Sequence, residues 1–191
     1  LIEGGIRYDF SHINAYKYYR TSLWEARNYD ELFPEIVVED LGLNTLTNPK
    51  FDFNNFSSNL GTRFTTNKGE NIYFNYSISS RKPNPSELFS EGLHHSSARI
   101  EIGDLSLNSE VGHNISLTYN FANEKSNLTV NSFANYVNDF IYIIPVDLMP
   151  TIAGVFPYWE YKQEDAKLFG FDVKYERQYF NNFFAGHQFS L

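Results

Sequence analysis

Apolar and polar residues alternate with a period of two over much of this chain. Between Asn71 and Ser79, Ile72, Phe74, Tyr76 and Ile78 fall on one face, while Asn71, Asn75, Ser77 and Ser79, joined by Tyr73, fall on the other. A helix, at 3.6 residues per turn, would mix the two sets, so the pattern predicts a strand. The same separation sets Val111, Ile115, Leu117, Tyr119 and Phe121 against Glu110, Asn114, Ser116, Thr118 and Asn120, with His113 the exception on the apolar side. It recurs with Phe169, Phe171, Val173 and Tyr175 against Gly170, Asp172, Lys174 and Glu176, and with Ile2, Ile6, Tyr8 and Phe10 against Glu3, Arg7 and Asp9. Phe56, Leu60 and Phe64 oppose Ser57, Asn59 and Arg63; the stretch 127–143 is less regular, and a last run begins at about Asn182. The reading is all-β, with about seven strands in an antiparallel arrangement.

Alternation alone fits a soluble sandwich as well as a membrane barrel. The connections discriminate: they run long (22–53), short (65–70), long (82–106), short (121–127), long (144–158) and short (178–182). Outer-membrane barrels alternate short turns on one side with long loops on the other, an order a sandwich has no reason to follow. The strands, at roughly 9 to 17 residues, exceed the soluble mode of about 5–6 and reach the roughly 9–11 that a tilted membrane strand needs. Tyr16, Tyr18, Tyr19, Tyr158, Trp159, Tyr161, Tyr179 and Phe180 cluster near strand ends, as interfacial aromatic girdles would. An odd strand count and ends that fall within strands are the marks of a fragment, because an open edge in lipid leaves backbone groups unpaired.

Composition narrows the choice. Aromatics make up 18% of the 191 residues, yet mean hydropathy is −0.41, a mixture suited to a sheet greasy on one face and wet on the other. No run approaches the roughly 18 apolar residues of a spanning helix; the longest candidate, Phe140 to Val146, is interrupted by Pro145. No basic region followed by an apolar core marks a signal peptide. With no Cys there is no disulfide scaffold and no thiolate ligand or nucleophile. A formal charge of −8 argues against nucleic acid as a partner. No nucleophile elbow, His-Glu-x-x-His motif or phosphate-cradling glycine loop is present, so neither an enzyme nor a resident cofactor is expected.

Several short motifs, in order, resemble the barrel of TonB-dependent receptors, especially the form common in Bacteroidota-like bacteria. They are Gly5-Ile6-Arg7-Tyr8-Asp9, then Ser80-Arg81-Lys82-Pro83 with Glu87-Leu88-Phe89, Gly92 and His94, then Glu101-Ile102-Gly103-Asp104 with Leu107 and Glu110. Asp139-Phe140-Ile141-Tyr142 and the series Gln163, Ala166, Gly170, Phe171 follow. The resemblance implies that residues 1–191 form part of a 22-stranded transmembrane β-barrel, with a plug domain upstream of Leu1 and further strands beyond Leu191. It implies an extracellular loop over 82–106, a periplasmic turn over 178–182, and residence in the outer membrane of a Gram-negative bacterium. It further implies active uptake of a scarce nutrient, an iron complex (siderophore or haem) or another metal chelate, energised through the TonB complex acting on the plug. The partners expected are therefore TonB, outer-membrane lipid and a small metal complex. An isolated segment would hide its apolar face and free edges by self-association.

Among candidate sites, His94 and His95 stand out, because adjacent loop imidazoles can converge on a metal; a His at that point without a metal role is the plainer reading. Haem receptors place a His between two boxes that Arg81-Lys82-Pro83 and Gly103-Asp104-Leu105 match only in part. His12, His113 and His187 lie on or beside strands and carry no assigned role. Glu31, Glu35, Glu39 and Asp40 make the first long loop acidic, either to gather cations or simply as a solvated surface. Arg7, Arg63, Lys174 and Glu176 belong to the polar face as lumen lining, and the Asn-x-Ser/Thr triplets at Asn55, Asn75, Asn114 and Asn127 are read as strand composition rather than glycosylation sites. The alternatives to an importer are a plug-less porin-like barrel or adhesin, and a soluble β-rich binding module.

Overall fold

The computed structural model describes residues 1–20, 27–41, 45–67, 69–180 and 183–190, with the side chains of 19, 20, 30 and 179–190 left aside. Twelve strands are found among them: β1 (Ile2–Asn14), β2 (Tyr18–Arg20), β3 (Val37–Asp40), β4 (Thr45–Thr47), β5 (Lys50–Thr65), β6 (Glu70–Arg81), β7 (Glu91–His94), β8 (Arg99–Ile102), β9 (Glu110–Ala122), β10 (Ser126–Thr151), β11 (Gly154–Phe180) and β12 (Phe183–Ser190). The main sheet has the order β1-β5-β6-β9-β10-β11, with β12 and the β8-β7 pair both on β11. Seven long strands thus follow one another as antiparallel neighbours, as the alternation predicts, and the five short strands belong to the connections. No described helix is long and apolar enough to cross a membrane, a statement that does not touch strands.

The register shows how the two faces separate. One face carries the rows Leu60, Tyr76, Ile115, Ala134, Phe169 and Thr62, Phe74, Leu117, Ser132, Phe171 and Phe64, Ile72, Tyr119, Val130, Val173. These side chains stand in the open: Leu60 is 50%, Leu117 47% and Phe169 82% exposed. Soluble monomers rarely show contiguous apolar patches beyond a few hundred Å², so this face calls for a nonaqueous cover. The belt runs from the row of Ile78 to the row of Glu70. At about 3.4 Å per residue and a tilt near 40°, that is about 20 Å of height, close to the roughly 25 Å apolar band of outer-membrane barrels.

The opposite face is a ladder of polar contacts between neighbouring strands. Arg63 donates to Asn71 Oδ1 through Nε (3.1 Å) and Nη2 (2.8 Å), and its guanidinium lies 5.5 Å over the Tyr73 ring. Thr118 Oγ1 donates to Asn131 (2.8 Å), Asn120 to Thr129 (2.9 Å), Asn127 to Glu176 (3.2 Å) and Asn114 to Asn135. Lys174 pairs with Glu176 at 2.8 Å. Asn75, Asn114 and Asn127 thus sit within strands, where they line the polar face.

Residues Asp9–Asn54 form a separate compact unit, where the sequence suggests only a long loop over 22–53. Here β2, β4 and β3 make a three-stranded antiparallel sheet beside short helical turns at Tyr29–Leu32 and Pro34–Ile36. Tyr29, Ile36 and Thr47 are buried, Thr47 Oγ1 donates to Tyr18 O (2.9 Å), and Phe51 packs T-shaped against Phe33 and tilted against Phe53. Glu31, Glu35, Glu39 and Asp40 are exposed on its surface.

The expected long loop 144–158 is instead strand. β10 and β11 continue paired to Thr151↔Gly154, with only Ile152 and Ala153 between them, and Gly154 takes the positive φ (131°) that closes the turn. Pro145, which interrupts the apolar run in the sequence, falls at a register shift between Pro145 and Asp147, the irregular position in a ladder where proline is tolerated. Tyr158, Trp159 and Tyr161 accordingly lie on this extended ribbon rather than in an interfacial girdle. Tyr19, Tyr179 and Phe180 have side chains outside the described set.

An arginine in the middle of the apolar face tests that lipid covers it. In the full-length protein Leu117→Arg is expected to destabilise the folded barrel by about 2–4 kcal/mol, read by urea titration in vesicles, whereas Thr118→Arg on the polar face, which loses the hydrogen bond to Asn131, costs only about 1 kcal/mol.

Candidate functional site

Where β9 begins, at Glu110, β10 loses its neighbour and must find other partners for its edge. The side chains that supply them build a clasp. Arg81, the last residue of β6, donates from Nε to Glu110 Oε2 (2.7 Å) and from Nη1 to Glu87 (2.9 and 3.1 Å). Glu87 also accepts the Asn84 N–H (2.7 Å), closing the capping box of the helix Pro85–Phe89. The other oxygen of Glu110 accepts the Ile141 N–H of β10 at 2.6 Å, the bond that a further residue of β9 would otherwise have made. One guanidinium and two carboxylates thereby tie β6, the loop helix, β9 and β10 together.

Gln163 of β11 extends the clasp. Its amide nitrogen donates to the carbonyls of Asn108 and Asp139, both at 2.8 Å, and its oxygen accepts the Asn108 N–H at 2.9 Å. Asp139, at a bulge between Val137 and Phe140 with φ 54°, donates its N–H to Asp165 (3.2 Å). This bulge explains why 127–143 reads as irregular: one extra residue swaps the faces beyond it.

Above the clasp the loop packs a core of its own. β8 adds in parallel to β11 at Tyr158↔Ile100 through Glu160↔Ile102, and β7 pairs antiparallel with β8. Leu88, Ile100, Ile102, Leu105, Leu107, Ile141 and Tyr158 are buried, each full burial contributing about 1.5–3 kcal/mol. Gly103 runs so close to the helix that a Cβ there would lie 2.6 Å from the Leu88 carbonyl. The motif residues Arg81, Glu87, Leu88, Gly103, Leu107, Glu110, Asp139 and Gln163 therefore meet in one place, as loop foundation.

The β7–β8 hairpin that this foundation carries ends in the predicted pair. His94 closes β7 and His95 opens the turn; both are exposed. His94 Nε2 stands 3.7 Å from Glu101 Oε2, outside hydrogen-bond reach. Glu101 is 4% exposed and is compensated by Arg99 Nε at 2.5 Å and Tyr161 OH at 3.3 Å, while the Arg99 guanidinium lies 5.0 Å over the Trp159 ring. No group of three His, Asp or Glu side chains converges among the described residues. Sequence reasoning attached no separate role to Glu101; its signal is a carboxylate between two isoleucines, which a strand buried on both faces must pair. His12 contacts Asp52 (2.6 Å) and His113 contacts Tyr76 (3.0 Å); the side chain of His187 lies outside the described residues.

Two outcomes check the clasp. Glu110→Ala leaves the Ile141 amide without its acceptor and Arg81 with Glu87 alone, so a loss of about 1–3 kcal/mol is expected, seen as lost hydrogen-exchange protection in the peptide around Ile141. Burial and the neighbouring Glu101 carboxylate push the Tyr161 hydroxyl above its ordinary value of 10.0. The neutral phenol is therefore the form the fold favours. Its contribution is whole below pH 10.0 and is lost as pH rises through the raised value; Tyr161→Phe should remove that alkaline loosening of the loop.

Three comparisons bear on this architecture. The family model described as TonB dependent receptor-like, beta-barrel matches residues 1–190. No curated protein matches the chain significantly by sequence. Among solved structures, the copper transporter OprC superposes with a TM-score of 0.66 at 14% identity, covering 100% of this chain and 26% of that one. A double mutant of the Serratia marcescens hemophore receptor HasR, in complex with its hemophore HasA and heme, gives 0.59 at 19% identity, covering 99% and 31%. The siderophore receptor PirA from Pseudomonas aeruginosa gives 0.55 at 16%, covering 75% and 31%. The chain thus spans between a quarter and a third of the length of these structures, and at such identities they speak for the fold alone. None of the matches bears on the bacterial lineage expected above.

Proposed function

Since this chain belongs to the β-barrel family of TonB-dependent receptors, and so lies in the outer membrane of a Gram-negative bacterium, we propose that the protein it forms part of is an importer of a scarce metal complex. The carrying observation is the family match over residues 1–190, together with a loop built rigidly on the barrel wall and carrying imidazoles at its tip. Such a protein is a transporter rather than an enzyme. On this reading the segment is wall: a plug and further strands complete a 22-stranded barrel, and TonB acts through that plug.

An iron complex, siderophore or haem, or another metal chelate is the favoured cargo. Three proteins of similar fold are a copper transporter, a hemophore receptor complexed with its hemophore and heme, and a siderophore receptor, which supports metal as the common theme. His94 and His95 fit a chelate better than a bare ion. A chelate brings most of its own ligands and needs one or two imidazoles, whereas a bare transition metal needs a closed set of four or more. The buried Glu101 lies 3.7 Å behind His94 and supplies negative charge beside the ring without hydrogen-bonding it.

The test is uptake by cells that carry the full-length gene, with and without TonB, supplied in turn with labelled ferric siderophore, haem and copper. Accumulation of one of these only when both genes are present is expected; accumulation that ignores TonB would overturn the importer. In the purified receptor, His94→Ala with His95→Ala should weaken binding of that cargo by about tenfold, and unchanged affinity would remove the histidines from the site while leaving transport intact.

A further inference from the structure

His113 is the exception that β9 carries on its apolar face, and transport leaves it without a task. It stands in the row Ser58, Ile78, His113, Tyr136, Lys167, which closes the apolar belt on the side of the clasp. Its ring lies between two tyrosines, 6.3 Å from Tyr76 (interplanar angle 22°) and 6.5 Å from Tyr136 (27°). The Tyr76 hydroxyl is 3.0 Å from Nδ1. If that hydroxyl donates, the ring proton sits on Nε2, which becomes a donor with no partner among the described residues. Lys167 places its ammonium 5.4 Å over the Tyr136 ring. Asp165, nearer the loops, accepts from Tyr136 OH (2.6 Å) and from the Asp139 N–H (3.2 Å), one bond on each oxygen.

The next row toward the belt is Leu60, Tyr76, Ile115, Ala134, Phe169, and its apolar members stand exposed. A lysine and an imidazole flanked by tyrosines, one step from hydrocarbon-facing side chains, mark the depth where acyl chains end and headgroups begin. Deeper, both groups would be costly; at this depth they meet the phosphates of the lipids. We infer that the His113–Lys167 row, framed by Tyr76 and Tyr136, binds the phosphate of an anionic lipid headgroup in the leaflet on the loop side. Phosphate oxygens accept from His113 Nε2 and Lys167 Nζ, and the acyl chains lie over Leu60, Ile115 and Phe169. Continuity with the lipid-covered belt is what selects a lipid over free phosphate, and the site does not depend on which cargo is transported.

The experiment uses the full-length receptor in nanodiscs of phosphatidylcholine with a minor share of lipid A, followed by release into native mass spectrometry. Wild type and Lys167→Arg should retain lipid A about fivefold more than His113→Leu/Lys167→Leu, and dephosphorylated lipid A should be retained no better than phosphatidylcholine. Heat-modifiable migration on gels confirms that each variant is folded; if the double variant is not, Lys167→Gln carries the comparison. Equal retention by wild type and variant, equal retention of the dephosphorylated lipid, or displacement of lipid A by inorganic phosphate would each overturn the assignment.

Discussion

A backbone N–H or C=O in hydrocarbon has no water to bond, and leaving it unpaired costs several kcal/mol. Each strand in lipid must therefore be paired on both sides for the whole depth of the apolar layer, and most of this molecule follows from that demand. The ladders β5-β6-β9-β10-β11 run without a register shift through the belt. All seven prolines, Pro34, Pro49, Pro83, Pro85, Pro145, Pro150 and Pro157, stand outside it, as does the bulge at Asp139. With the backbone so committed, side chains alone are left to distinguish one face from the other, and period-two alternation is the only pattern that can do it.

The demand is released where β9 stops. Beyond Glu110 the edge of β10 is no longer in lipid, yet it borders a packed loop that admits little water, and side chains take over what strands did below. Glu110 answers the Ile141 amide, Gln163 answers Asn108 and Asp139, and β8 adds itself to β11. Glu87 and Glu110 are largely buried while Arg81 stays half-exposed, so removing the cation from two buried carboxylates costs more than its partly solvated pairs contribute. Arg81 with Glu87 and Glu110 therefore acts less as a source of stability than as a device that permits one loop arrangement.

That difference governs what the sequence made legible. The seven long strands could be read because lipid on one side and polar contacts on the other impose a strict period, as in Ile72, Phe74, Tyr76 and Ile78. The ribbon Pro145–Pro157 could not, because outside lipid neither face is fixed: Val146, Leu148, Ile152 and Val155 are all exposed, and alternation carries no signal there. Nor could the unit Asp9–Asn54, whose strands of three and four residues are too short to display a period. The clasp was visible only as scattered motif letters. Its residues lie up to 82 positions apart, from Arg81 to Gln163, and only the register of the long strands brings them together. The pair His94-His95 was visible as chemistry, but its setting on a hairpin backed by a buried Glu101 depends on how Ile100 and Ile102 pack.

Recognition can then be placed by asking where sequence is free to change. Within the belt a polar substitution meets lipid or the strand ladder and is penalised at almost every position. In the clasp a substitution strands a charge or an amide. The β7–β8 turn has neither restraint: Ser96, Ser97 and Ala98 are exposed, Ala98 already tolerates a left-handed φ of 49°, and the foundation beneath holds the hairpin whatever the turn carries. A wall held by pairing and a tip held only by its foundation is a division of labour that suits one barrel architecture to many cargoes, and under the proposed importer reading selectivity in this segment belongs to the hairpin rather than to the strands.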